Sequence, residues 1–116
     1  RNQSKNFIIL DAGMNDLMRP ALYNAKHDIV PVLKLKKKIN GKVEFVGPIC
    51  ESTDTFVKYK NFSLLNENDL VAITNVGAYG SSLSSNYNTR PLAAEVIVKK
   101  GKIKIIRRRQ KISEII

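Results

Sequence analysis

Short apolar runs alternate with clusters of turn-forming residues along this chain, and the three-to-four-residue spacing of a long helix is almost absent. Residues 7–10 are continuously apolar and predict a strand ending at Asp11. Residues 29–36 alternate with period two and predict another. Asn40-Gly41 follows. It is the strongest hairpin signal in the chain, because a type I′ turn needs positive φ at both central residues, so residues 42–46 are expected to return beside residues 29–36. Residues 56–68 are ambiguous, a strand followed by a turn, and residues 69–74 have a buried-strand pattern. Residues 93–98 and 102–106 flank Lys100-Gly101 as a second hairpin. Helix is confined to residues 14–25, with Asn15 or Asp16 as N-cap and Pro20 in the first turn, and to a short start at residues 113–116. This pattern predicts an all-β fold, an antiparallel β-barrel or sandwich with one short helix.

At 116 residues, 43% of them hydrophobic, the chain forms one domain (1–116) with a core built on Ile, Leu and Val, since Trp is absent. One cysteine forms no internal disulfide and fits a reducing cytoplasm. No apolar run has the length of a membrane span, and no signal-peptide core is present, so no membrane partner is expected. One Cys and one His lack the spacing of a metal site. The net charge of +10 raises nucleic-acid binding through Lys34, Lys36, Lys37, Lys38, Lys99, Lys100 and Arg107 to Arg109. Yet Lys alternates with apolar residues, as on the solvent face of strands, and no aromatic interleaves it. No nucleic-acid partner is expected; the basic face alternatively balances a more acidic domain outside this chain.

Two stretches concentrate the chemistry. Gly47-Pro48-Ile49-Cys50-Glu51-Ser52-Thr53-Asp54 sets the only cysteine beside a carboxylate. Gly77-Ala78-Tyr79-Gly80, running into Ser84-Ser85-Asn86-Tyr87-Asn88-Thr89-Arg90-Pro91, sets a tyrosine among small polar residues. Gly, Pro, Ser and Asn form turns, so both read as loops that present side chains from a scaffold. By residue type alone, Cys50 is a small buried hydrophobe, Glu51 a solvated carboxylate and Tyr23 a packing residue with an exposed hydroxyl. Arg19 and Tyr23, four apart, share one helix face. Gly77 and Gly80 beside Tyr79 would let a flat ligand approach the backbone. Asp54 is placed to tie down the Cys50 loop, Arg90 to bond loop carbonyls, Asp11 to bond the following turn, and His27 to cap or line a loop.

With Asp11-Ala12-Gly13-Met14-Asn15-Asp16-Leu17 and Arg19-Pro20-Ala21-Leu22-Tyr23, these stretches closely resemble the C-terminal domain of the diaminopimelate decarboxylases. Those are pyridoxal 5′-phosphate enzymes of the alanine-racemase-like, fold type III class. The resemblance runs in order over residues 7–109. It implies a β-barrel domain of a two-domain enzyme, whose preceding (β/α)8 barrel, with the Schiff-base lysine and the cofactor-phosphate contacts, lies outside this chain; Lys58 and Lys60 match no such motif. It also implies a cytoplasmic homodimer with shared active sites that converts meso-2,6-diaminopimelate to L-lysine and CO2. The matching positions are Cys50 as proton donor, Arg19, Tyr23 and Glu51 as substrate ligands, and Tyr79 in contact with both substrate and cofactor. The chemistry agrees: a guanidinium fork suits the substrate's distal carboxylate, a carboxylate suits its distal ammonium, and a thiol is a tunable acid. Thr53 departs from the pattern, standing where many relatives have a smaller residue. Two other readings stay open. One is a decarboxylase of ornithine, arginine or carboxynorspermidine on the same scaffold, whose substrates lack that distal pair. The other is a non-catalytic basic β-domain binding nucleic acid or protein.

Overall fold

The structure, a computed structural model, describes residues 5–116. Its elements run β1 (Lys5–Ile9), α1 (Arg19–Tyr23), β2 (Ile29–Pro31), β3 (Lys42–Val46), β4 (Thr55–Lys60), β5 (Val71–Ile73), α2 (Gly77–Ser82), β6 (Glu95–Lys99) and β7 (Lys102–Arg107), with 3₁₀ turns at Tyr87–Thr89 and Ile112–Glu114. The strands form three sheets, β1-β3-β4, β2-β5 and β6-β7. The chain is thus mainly β with short helices, as its pattern predicts.

The core gathers around β3. Val43 and Phe45 are completely buried and pack with Ile29 of β2, ringed by partly buried Phe56, Tyr59, Phe62 and Ile73. Phe45 meets Phe62 and Tyr59 edge-on, at centroid distances of 4.9 and 6.0 Å, the geometry that ring quadrupoles favour. The Ile29 N–H donates to the Tyr59 hydroxyl at 2.8 Å, which docks β2 against β4.

The Asn40-Gly41 expectation fails. β2 stops at Pro31 and pairs antiparallel with β5, Ile29 opposite Ile73. β3 pairs instead with β1, in parallel, and with β4, antiparallel. The Val32 N–H still donates to the Leu70 carbonyl at 2.9 Å, but proline weakens the ladder by lacking an N–H and the lysines of residues 34–38 belong in water, so residues 33–36 leave the sheet. A strand as buried as β3 needs a neighbour on each edge. Gly41 does take positive φ, 107°, but its turn is stitched to Asn61: the Asn61 N–H donates to the Gly41 carbonyl and the Gly41 N–H to Asn61 Oδ1. The second hairpin forms as expected, with Lys100 and Gly101 at φ 49° and 73°. The helix is shorter than residues 14–25 allow. Pro20 sits in its first turn, and Met18, not Asn15 or Asp16, holds the N-cap position. The Asp16 carboxylate instead accepts the Gly13 N–H at 2.9 Å. Only a single 3₁₀ turn forms near residues 113–116.

β3 and β4 are joined by residues 47–54, so the cysteine-bearing stretch is a hairpin loop. Its ends close through the Gly47 N–H to the Asp54 carbonyl at 2.9 Å. Asp54, only 2% exposed, accepts from the Ile49 N–H and, across the fold, from the Met14 N–H, each at 2.7 Å. A Cβ at Gly47 would overlap this carboxylate. An extra residue at Phe56, where the β3–β4 register shifts, bends the strand leaving the loop.

The chain exposes 8973 Å², whereas a monomer of its 13.1 kDa ordinarily exposes about 6,400 Å². The β6–β7 ribbon is among the exposed segments: its Val98, Ile103 and Ile105 are 65–70% exposed.

Asp54→Ala is expected to destabilise the chain by about 3 kcal/mol, because two shielded N–H groups lose a charged acceptor. Glu67→Ala, on an exposed turn, should stay within about 0.5 kcal/mol. Urea denaturation of both variants checks this; equal midpoints would remove Asp54 from the role described.

Candidate active site

Arg19 opens α1, and Tyr23 closes it one turn later. The helix ends because Asn24 turns left-handed at φ 54° and its N–H folds back on the Arg19 and Pro20 carbonyls. The guanidinium of Arg19 lies 5.9 Å from the Tyr23 ring centroid and 5.6 Å from that of Tyr79. Both distances lie within cation–π reach, so each ring attracts the guanidinium. Sequence spacing anticipates the first contact; the second joins residues far apart in the chain.

Tyr79 does not sit in a loop. Residues 77–82 form α2, which Gly77 enters at φ 55°. The neighbouring glycines differ in purpose. A Cβ at Gly77 would meet open space, whereas Gly80 is buried, and a Cβ there would press on Val76 at 3.2 Å with Leu17 at 3.7 Å. Gly80 therefore serves close packing against Val76 and Leu17. The Tyr79 ring is two-thirds exposed on the outer side of α2. On the same helix the Ser81 hydroxyl bonds the Glu95 carboxylate.

Cys50 and Glu51 ride at the tip of the β3–β4 loop and are both exposed. Burial is where residue type alone puts a free cysteine; here the Asp54 anchor turns the chain so that Ile49 is buried and Cys50 faces out. Glu51 has a partner that its sequence position does not reveal. The Tyr87 hydroxyl donates to Glu51 Oε1 at 2.5 Å. That bond to an anionic acceptor, and then the anion's charge, push the Tyr87 phenol above its ordinary range. The signal for Tyr87 was present: like Tyr79, it is a hydroxylated aromatic set among turn formers.

The segment at residues 11–18 anchors both groups. Met14 is bonded by Asp54, the Asn15 carbonyl accepts the Ser85 N–H at 2.9 Å, and Leu17 packs beneath Gly80. Arg90 donates to the Asp11 carbonyl and lies 3.9 Å from the Asp16 carboxylate. It bonds a loop carbonyl as expected, while the bond to the turn comes from Asp16, not Asp11. His27 is buried, and its Nδ1 bonds the Thr74 carbonyl at 3.2 Å, a structural contact. A cleft of about 560 Å³ between α2 and β6–β7 is lined by Leu17, Val76, Ala93, Val96 and Ile106 and by none of the five predicted site residues.

Residues 1–77 match the family described as pyridoxal-dependent decarboxylase, C-terminal sheet domain. The match contains Arg19, Tyr23, Cys50 and Glu51; Tyr79 and Tyr87 lie beyond it. The chain is 48% identical over 108 residues to diaminopimelate decarboxylase of Aquifex aeolicus, covering 92% of this chain and 25% of that protein. It is 45% identical over 113 residues to the Helicobacter pylori enzyme of the same name, covering 97% and 28%. Diaminopimelate decarboxylase of M. jannaschii, solved in complex with L-lysine, superposes with a TM-score of 0.86 at 37% identity, over 93% of this chain and 24% of that one. The chain thus spans about a quarter of the length of the relatives it matches. With a sheet domain of the same fold matched over nearly all its length, the chain belongs to the pyridoxal-dependent decarboxylases, as their C-terminal sheet domain.

Proposed function

We propose that this chain is the substrate-recognising and proton-donating domain of a diaminopimelate decarboxylase, which converts meso-2,6-diaminopimelate to L-lysine and CO2. The observation that carries this reading is the Arg19 guanidinium within cation–π reach of both Tyr23 and Tyr79. It accompanies an outward-facing Cys50–Glu51 pair on a loop anchored to the same turn segment. Arg19 supplies a fixed bidentate donor for a carboxylate. Glu51 supplies an acceptor for an ammonium. A substrate with both groups at its distal end meets both, and a simple diamine meets one.

The residues present fit part of a site for pyridoxal 5′-phosphate. Tyr79 offers an exposed ring at the start of a helix, while Lys58 is engaged with Glu44 at 3.8 Å on the sheet and is no candidate for covalent attachment. When bound, the cofactor supplies the electron sink that lets the α-carbon lose CO2. Cys50 Sγ holds a proton for the substrate carbon that has lost its carboxylate, and the thiolate left behind regains a proton from water. Arg19 and Glu51 hold the distal end so that one face of that carbon meets the thiol.

The surplus exposed surface and the exposed ligand set support a covering partner. On this reading it is a (β/α)8 barrel of the same polypeptide together with a second subunit, in a homodimer of shared sites.

Three outcomes test the proposal. The chain alone, given pyridoxal phosphate and meso-diaminopimelate, should release no CO2 above the rate with cofactor only. In the complete enzyme, Cys50→Ala should lower kcat on the order of 10²-fold or more while KM moves little; unchanged turnover with intact product stereochemistry would return Cys50 to a structural role. Arg19→Ala should reduce the preference for diaminopimelate over L-lysine, in kcat/KM, on the order of 10²-fold; a constant ratio would show that Arg19 is not the carboxylate clamp.

A further inference from the structure

Tyr87 belongs to none of the roles above, yet its surroundings are built with care. The turn that carries it places Asn88 and Thr89 in succession at φ 57°. Two consecutive left-handed residues, one of them β-branched, are unfavourable and persist only where their neighbours impose them. The imposition is visible. Asn86 Nδ2 donates to the Arg90 carbonyl at 2.9 Å and to Gln110 Oε1 at 2.6 Å, and the same oxygen accepts the Leu92 N–H at 2.9 Å. Ser85, just before, is bonded to Asn15. The product of this strained, pinned turn is a phenol whose hydroxyl reaches Glu51 Oε1 across 36 residues of sequence.

A carboxylate on an exposed loop tip rotates freely, and a ligand that binds it must stop that rotation. A donor fixed on Oε1 stops it beforehand and leaves Oε2 to accept from the ligand. We propose that Tyr87 is a positioning residue, holding the Glu51 carboxylate in the orientation that receives the substrate's distal ammonium. This rests on the reading of Glu51 as the ammonium ligand. Tyr87 acts on binding and not on the bond-breaking step.

The test uses the complete enzyme in four forms: wild type, Tyr87→Phe, Glu51→Gln and the double variant. It measures kcat and KM for meso-diaminopimelate, with thermal melting as a check on folding. Phenylalanine keeps the ring and removes only the donor. Tyr87→Phe is expected to raise KM about tenfold with kcat within about twofold. In the Glu51→Gln background the same change should move KM less than twofold, because the group that Tyr87 orients has lost its charge. A KM unmoved by Tyr87→Phe overturns the proposal, as does an equal rise in both backgrounds or a loss confined to kcat. If Glu51→Gln leaves KM unchanged while Tyr87→Phe raises it, the reading of Glu51 itself has failed. If Glu51→Gln raises KM and Tyr87→Phe does not, Glu51 stands and Tyr87 falls.

Discussion

A carboxylate inside the fold, that of Asp54, accepts one N–H group from its own loop, at Ile49, and one from a stretch of chain 40 residues away, at Met14. Each of the other contacts around the site depends on where these two N–H groups are held. Fixing Ile49 turns Cys50 and Glu51 outward; fixing Met14 sets the turn from which α1 departs. An ionised acceptor suits this task because it satisfies backbone donors that would otherwise be shielded from water without a partner. Gly47 is small because the same carboxylate occupies the space its side chain would need.

The candidate side chains form two groups. One is a guanidinium near two phenols; the other is a thiol and a carboxylate with a third phenol attached. Both lie on the outside of the domain. Exposed stacking of Arg19 on tyrosine contributes about 0.5–1 kcal/mol, and more once water is removed. The domain therefore fixes geometry, and whatever covers the site raises the strength of its electrostatic contacts by lowering the local dielectric. This division explains why so small a core suffices: Val43, Phe45 and Ile29 need only hold β3 and its loop in place.

Much of this was legible in the sequence, and what was not has identifiable causes. Short apolar runs bounded by turn formers located most of the strands, and Lys100-Gly101 marked its hairpin, because both signals are local. Asn40-Gly41 misled because a turn preference reports φ, which Gly41 does adopt, and not which strand lies alongside; that choice was made by burial of Val43, Glu44 and Phe45, which puts a neighbour along each edge of β3. α2 reads as a loop in the sequence since Gly and Ser are poor helix formers, but the packing of Gly80 against Val76 and Leu17 overrides that preference. Arg19 with Tyr23 could be read from spacing. Arg19 with Tyr79, and Glu51 with Tyr87, could not, because those pairs exist only after distant turns are brought together.

The β6–β7 ribbon carries a consequence of its own. Its two strands show Val96, Ile97, Val98, Ile103 and Ile105 to water and leave two ladder edges unpaired, which makes it a template for sticking to its own kind. Lys99, Lys100, Lys102 and Lys104 line the same ribbon. Two ribbons approaching edge to edge bring like charges together, whereas a neutral or acidic surface meets no such barrier. Part of the chain's large positive charge thus acts as colloidal protection for an apolar ribbon. That protection reaches only about a Debye length, roughly 10 Å at 0.1 M salt, so concentrated salt would silence the repulsion and leave the apolar ribbon free to self-associate.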